Sequence, residues 1–71
     1  MAEGTIHVTV NGEARSVPGG ISLEELVRLL ALPPDRVAIE HNLAIAHRSQ
    51  WASVKLKEAD RLEIVQFVGG G

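Results

Sequence analysis

The stretch ISLEELVRLLAL, residues 21–32, limits the possible folds more than any other part of this chain. Ser22 stands where an N-cap is wanted, and Glu25 three residues on can complete a capping box. Ile21 and Leu26 occupy the positions of a hydrophobic staple. Leu23, Leu26, Val27 and Leu30 follow the i, i+3, i+4, i+7 spacing, so one helical face is apolar and must be buried. Glu24 and Glu25 sit at the positive end of the helix dipole, and Glu24 is spaced to pair with Arg28. Pro33-Pro34 is expected to stop the helix, because a residue before proline avoids the α region. The rest of the 71-residue chain reads mainly as strands. The apolar face of this one helix therefore has a sheet to pack on.

The strands follow from alternation. In TIHVTV, Ile6, Val8 and Val10 face one way and Thr5, His7 and Thr9 the other, as in a half-buried strand. Asn11-Gly12 comes next, a strong hairpin signal because both turn positions need positive φ. ARSV reads as the return strand, ended by Pro18-Gly19-Gly20. RVAIEH is a further strand with Val37 and Ile39 inward. A turn at Asn42-Leu43 leads to a short strand over residues 44–46, although leucine is a poor occupant of a positive-φ site and the turn type stays open. One helical turn is expected around residues 50–53, with Trp51 packed against the sheet. RLEIVQFV is the final strand, with Leu62 and Ile64 on one face and Val65 and Phe67 on the other. Apolar residues on both faces point to a central strand, placed beside the first. The whole is a two-layer α+β domain over residues 1–68, followed by a glycine tail at 69–71.

Several functions are disfavoured. A chain this short buries only about 60% of the surface its unfolded form exposes, which leaves no room for an enclosed active site. The formal charge is −2 with both signs interspersed, so no basic stripe marks a nucleic-acid binder. Cysteine is absent, which excludes disulfides, thiolate metal sites and thiol nucleophiles. The sequence shows neither a signal-peptide pattern nor a membrane-length apolar run, so a soluble, cytoplasmic domain with no membrane partner is expected. His7, His41 and His47 lack metal-ligand spacing and are expected to be solvent-exposed. Gly19-Gly20 reads as a turn, since no G-x-x-x-x-G-K-[ST] surrounds it. Ser22 is a cap without the G-x-S-x-G context of a nucleophile. No motif marks an enzyme, and no catalytic residue or bound metal is expected.

The tail carries the chemistry. Glycine averages about 7% of residues, so three directly after a strand call for a reason. Three extended residues reach roughly 10 Å, enough to enter a narrow site on another protein. Without Cβ atoms, Gly69 and Gly70 permit close backbone approach. A terminal Gly71 carboxylate would be unhindered, and an ATP-using enzyme could convert it to an acyl-adenylate open to nucleophilic attack.

Those residues carry a resemblance. VNGE after the first strand, ISLEELVRLL, VAIEHN, HRSQWAS and above all ADRLEIVQFVGGG resemble the sulfur carriers of thiamine thiazole biosynthesis, the ThiS family of the ubiquitin-like β-grasp superfamily. The resemblance covers essentially the whole chain. Leu43 and Ala59 depart from it, standing where a turn glycine is common. The resemblance implies an α+β β-grasp fold, with a mixed four- or five-stranded sheet on one main helix and a flexible glycine tail. It further implies that an E1-like enzyme adenylates Gly71 with ATP and magnesium. Sulfur relayed from cysteine by a desulfurase would then give a Gly71 thiocarboxylate, and thiazole synthase would accept the sulfur. Without cysteine, the chain could not carry sulfur as a side-chain persulfide.

Docking would use the surface near the tail, with Phe67 and Val68 as first candidates and Leu43 and Ile45 as weaker ones. Ordinary core packing competes with docking for all four residues. Three other readings stand beside this one. They are a small subunit of molybdopterin synthase, a ubiquitin-like modifier joined to lysines through Gly71, and a plain β-grasp interaction module.

Overall fold

A computed structural model describes residues 4–68. Residues 1–3 and the tail glycines Gly69, Gly70 and Gly71 lie outside the described residues. The strands are β1 (Thr5–Val10), β2 (Glu13–Pro18), β3 (Val37–His41), β4 (Ala44–Ala46) and β5 (Arg61–Gln66), with one α-helix, α1 (Leu23–Leu29). They form one five-stranded sheet in the order β2-β1-β5-β3-β4. The β1–β5 pair is parallel and the other pairs are antiparallel. β5 is thus central and beside β1, as its two apolar faces suggest.

The core lies between α1 and one sheet face. Ile6, Val8, Val10, Val17, Val37, Ile39 and Leu62 meet Leu23, Leu26 and Val27, and Trp51 and Leu56 close the edge. Trp51 donates from Nε1 to the Ala46 carbonyl at 2.9 Å, so its single polar group is satisfied as the ring is buried. Leu30 is only partly buried against this cluster.

The capping box forms as the sequence indicates. Ser22 Oγ accepts from the Glu25 amide at 3.1 Å, and Glu25 Oε1 accepts from the Ser22 amide at 2.8 Å. That backbone bond from Ser22 is the main cause holding the Glu25 carboxyl below its ordinary pKa. The helix, however, stops short of the prolines. Ala31 adopts φ 58°, its amide bonds the Arg28 carbonyl at 3.0 Å, and the Leu32 amide bonds Val27 at 3.0 Å. This is a Schellman ending with alanine where glycine is usual. Pro34 instead opens a short 3₁₀ turn, Pro34–Arg36. The Glu24–Arg28 ion pair is not formed among the described residues.

Other local departures are small. β2 extends through Pro18, which an edge strand tolerates. The turn around Trp51 is a 3₁₀ segment, Arg48–Ser53, longer than residues 50–53. Asn11 and Gly12 have φ of 52° and 82°, and Asn42 and Leu43 have 51° and 74°. Both hairpins therefore have positive φ at each central position, the type I′ requirement. Leu43, and Ala59 at 73°, hold left-handed geometry without glycine. Among the described residues, no helix is long and apolar enough to cross a membrane.

Candidate functional site

The site is the root of the tail, and the sheet builds it by gripping β5 from both sides. β1 pairs with β5 only at Thr9–Arg61 and Val10–Leu62, because β1 then turns away at Asn11-Gly12. Asn11 takes over as a substitute strand. Its amide donates to the Leu62 carbonyl at 2.8 Å. Its side-chain Oδ1 accepts from the Ile64 amide at 2.7 Å, and Nδ2 donates to the Ile64 carbonyl at 3.1 Å. The left-handed backbone of Asn11, cheap for asparagine, turns the side chain back along β5. On the other flank β3 pairs along β5 from His41–Leu62 to Val37–Gln66. The Phe67 amide continues that ladder with a 2.7 Å bond to the Arg36 carbonyl.

A second asparagine anchors the start of β5. Asn42 Oδ1 accepts from the Arg61 amide at 2.8 Å, and its own amide donates to the Arg61 carbonyl at 2.8 Å. Asn42 Nδ2 reaches Asp60 Oδ1 at 3.1 Å. Asp60 is buried, and its Oδ2 also accepts from the Lys57 amide at 2.9 Å and meets His41 Nε2 at 2.8 Å. Burial raises the Asp60 pKa, but the bonds from His41, Asn42 and Lys57, together with the His41 charge, outweigh it and leave the carboxyl below its ordinary value. An ionised carboxylate only accepts, so the hydrogen sits on Nε2 of His41.

The histidines divide accordingly. His47 is exposed, and His7 is exposed beside Glu58, whose Oε1 accepts from the His7 amide at 2.9 Å. His41 does not fit the expected exposure: it is largely covered and paired with Asp60. Asp60, Asn42 and the side chain of Asn11 are the members that sequence reading did not place. The Asn11-Gly12 signal located the turn, but no pattern announced that its side chain would hold β5. Among the described residues, no group of three or more His, Asp or Glu side chains could hold a metal ion.

The four candidate docking residues are all on the surface. Phe67 is 55% exposed, Val68 84%, Leu43 77% and Ile45 61%. Core packing is therefore wrong for each of them. Strand alternation puts Val65 and Phe67 on the sheet face away from α1, where Val65 is also exposed. Gly69, Gly70 and Gly71, the expected tail and modification site, lie outside the described residues.

A mixed sheet with a central parallel β1–β5 pair, one crossing helix and a glycine run after the central strand defines a ubiquitin-like β-grasp protein. The fold matches a solved thiamine biosynthesis protein, ThiS, from Geobacter metallireducens with a TM-score of 0.81 and 28% identity, over 93% of this chain and all of that one. The ThiS family matches residues 8–71. The chain belongs to the ThiS family of small sulfur carriers. It is 39% identical over 64 residues to a thiazole synthase of Magnetococcus marinus, covering 90% of this chain but 20% of that protein. The chain thus spans about a fifth of the length of that relative. It is also 34% identical, over the full length of both, to the uncharacterised protein ycf40 of Pyropia yezoensis.

Proposed function

We propose that this protein carries sulfur for thiazole formation in thiamine biosynthesis, as a co-substrate and not as a catalyst. The observation behind this reading is that the family match runs through Gly71, with the glycines following closely on the central strand of the sheet. A carboxylate oxygen of Gly71 attacks the α-phosphorus of ATP on an E1-like adenylating enzyme, which uses magnesium, and pyrophosphate leaves. A sulfur nucleophile supplied through a cysteine desulfurase then attacks the acyl carbon. When that nucleophile is a persulfide, AMP leaves as an acyl disulfide forms. A second thiol then attacks the donor's sulfur, the donor and that thiol become a disulfide, and the Gly71 thiocarboxylate is released. Thiazole synthase is the acceptor, a link supported by the name of the longer relatives. The steps take place in the cytoplasm, where the activating enzyme, desulfurase and synthase would be met in turn.

The clamped root matters to this chemistry. With Ile64 held by Asn11 and Phe67 by Arg36, the tail starts from a fixed point, and less freedom is lost when it enters a partner's site. Phe67 and Val68 then form the first contact outside that site, and Gly69 and Gly70 pass through it.

Intact mass tests the proposal. The protein is incubated with an adenylating enzyme, ATP, magnesium and a sulfur source. A gain equal to the difference between sulfur and oxygen, localised to Gly71 and lost on its deletion, is the expected result. An unchanged mass with an enzyme active on another carrier would refute the carrier reading and favour the interaction module.

A further inference from the structure

The chain has two asparagines, Asn11 and Asn42. Each opens a two-residue turn at positive φ and accepts, through Oδ1, a hydrogen bond from an amide of β5. The residue that follows sets them apart: Gly12 after Asn11, Leu43 after Asn42. An asparagine side-chain amide is open to attack by the backbone nitrogen of the next residue, which closes a five-membered ring. Attack is quickest when that residue is glycine, because no Cβ crowds the nitrogen.

At Asn11 the nucleophile is free and the electrophile is held. The Gly12 amide donates no hydrogen bond among the described residues. A Cβ built on Gly12 would meet no atom within 4 Å, so the turn is open to water. Asn11 Oδ1 and Nδ2, by contrast, are both bonded to the backbone of Ile64, at 2.7 and 3.1 Å. Ring closure requires the side chain to swing off β5 and the peptide plane between residues 11 and 12 to rotate out of the type I′ turn. The two bonds that resist are exposed, and such a hairpin tip opens without global unfolding. At Asn42 the Leu43 side chain crowds the nucleophile, and Nδ2 is bonded to the buried Asp60.

We infer that Asn11 is a deamidation site, that its rate is set by local release of the side chain from Ile64, and that its conversion loosens the root of the tail. The Gly12 nitrogen bonds to Asn11 Cγ and gives up its proton, the Cγ–Nδ2 bond breaks, and ammonia leaves with that proton. Water then opens the succinimide. Cleavage between Cγ and the Gly12 nitrogen gives aspartate; cleavage at the Asn11 main-chain carbonyl gives isoaspartate, whose backbone runs through Cγ. The net change is one amino group exchanged for a hydroxyl, with water as the only co-reactant. Both products lose the Nδ2 donor to the Ile64 carbonyl, and an ionised carboxylate only accepts. Isoaspartate also lengthens the backbone of a two-residue turn, which upsets the Val10–Glu13 register. None of these steps depends on the carrier reading.

The test is incubation of the full chain in mildly alkaline buffer, native, in urea below the unfolding transition, and fully unfolded in urea. Peptide-mapping mass spectrometry follows both asparagines by the mass difference between hydroxyl and amino. Residue 11 should convert at least about tenfold more slowly in the folded than in the unfolded chain, the factor that two exposed bonds supply. The folded rate should stay flat through low urea, because a local opening exposes little surface. Asn42 should lag behind Asn11 in every arm, and Leu43→Gly should bring the two level in the unfolded arm, where the variant's folding is immaterial. Converted protein, separated by its extra negative charge, should exchange its Ile64 amide faster than unconverted protein. Equal folded and unfolded rates would overturn the inference, as would conversion of Asn42 ahead of Asn11. A folded rate that climbs with urea in step with global unfolding would overturn local release. Unchanged Ile64 protection after conversion would overturn the link to the tail root.

Discussion

Asn11 joins the hairpin to the root of the tail, and its removal can be worked through in energy. Asn11→Ala deletes the two side-chain bonds to Ile64 at 2.7 and 3.1 Å. Both are exposed, so water competes and the low end of the usual range applies, about 0.5 kcal/mol each. Alanine must also hold φ 52°, where a Cβ costs roughly 1 kcal/mol that asparagine largely avoids. The total is about 2 kcal/mol, or a melting temperature lower by on the order of 8–16 °C in a domain of this size. Asn11→Gly separates the two contributions. It loses the same bonds but not the backbone preference, and instead adds freedom to the unfolded chain.

Chemical denaturation gives the global loss, and hydrogen exchange at the Ile64 amide gives the local one. In the alanine variant Ile64 should lose protection beyond the global change, because Oδ1 is its only acceptor on that flank. Protection of Ile64 that merely follows global stability would refute the idea that Asn11 acts as a substitute strand. A loss under about 0.5 kcal/mol, below even one such bond, would refute the energy argument as well.

Four further outcomes follow from the same geometry. Ala31→Gly should stabilise the fold by about 1 kcal/mol, seen as a higher urea midpoint, because glycine is free of the left-handed penalty at a Schellman C′ position. Asp60 has a pKa lowered on folding, so its contribution is complete above the unfolded carboxyl value of about 3.9 and is lost as pH falls through the folded one. Asp60→Asn should therefore flatten the acid limb of a stability–pH curve measured between about pH 5 and pH 2. Gly12→Val should cost at least about 1 kcal/mol by denaturation at φ 82° with little effect on thiocarboxylate formation; open space around a Cβ there makes the cost purely one of backbone. Under the proposed function, Gly71→Ala should leave the melting curve unchanged and strongly impair thiocarboxylate formation, because a methyl group would enter a site shaped for glycine.

The sequence made the layers legible because they rest on periodicity. The alternation in β1 and the heptad-like spacing in α1 each state which side must leave water, whereas the two-sided apolar pattern of β5 gave its central place but not its exposed second face, Val65 and Phe67. What it concealed depends on backbone states that side-chain chemistry does not announce. Nothing in LLALPP points to Ala31 as the left-handed stop, since alanine is normally a helix former, and the prolines drew the boundary too late. Asp60 stands in no pattern of its own, and only the meeting of the β3–β4 hairpin, through His41 and Asn42, with the loop at Lys57 turns it into a buried acceptor of three bonds. Leu43 shows why such departures carry information. It holds φ 74° and is 77% exposed, so the fold gains neither burial nor a relaxed turn from it. Glycine or asparagine would serve stability better by roughly 1 kcal/mol. Leu43 is not favoured by stability and sits on the hairpin that continues into Ile45, and under the proposed function it is a candidate for contact with a partner. Leu43→Asn should therefore raise the melting temperature while weakening binding to thiazole synthase, and a variant that raised both would show that the leucine serves neither.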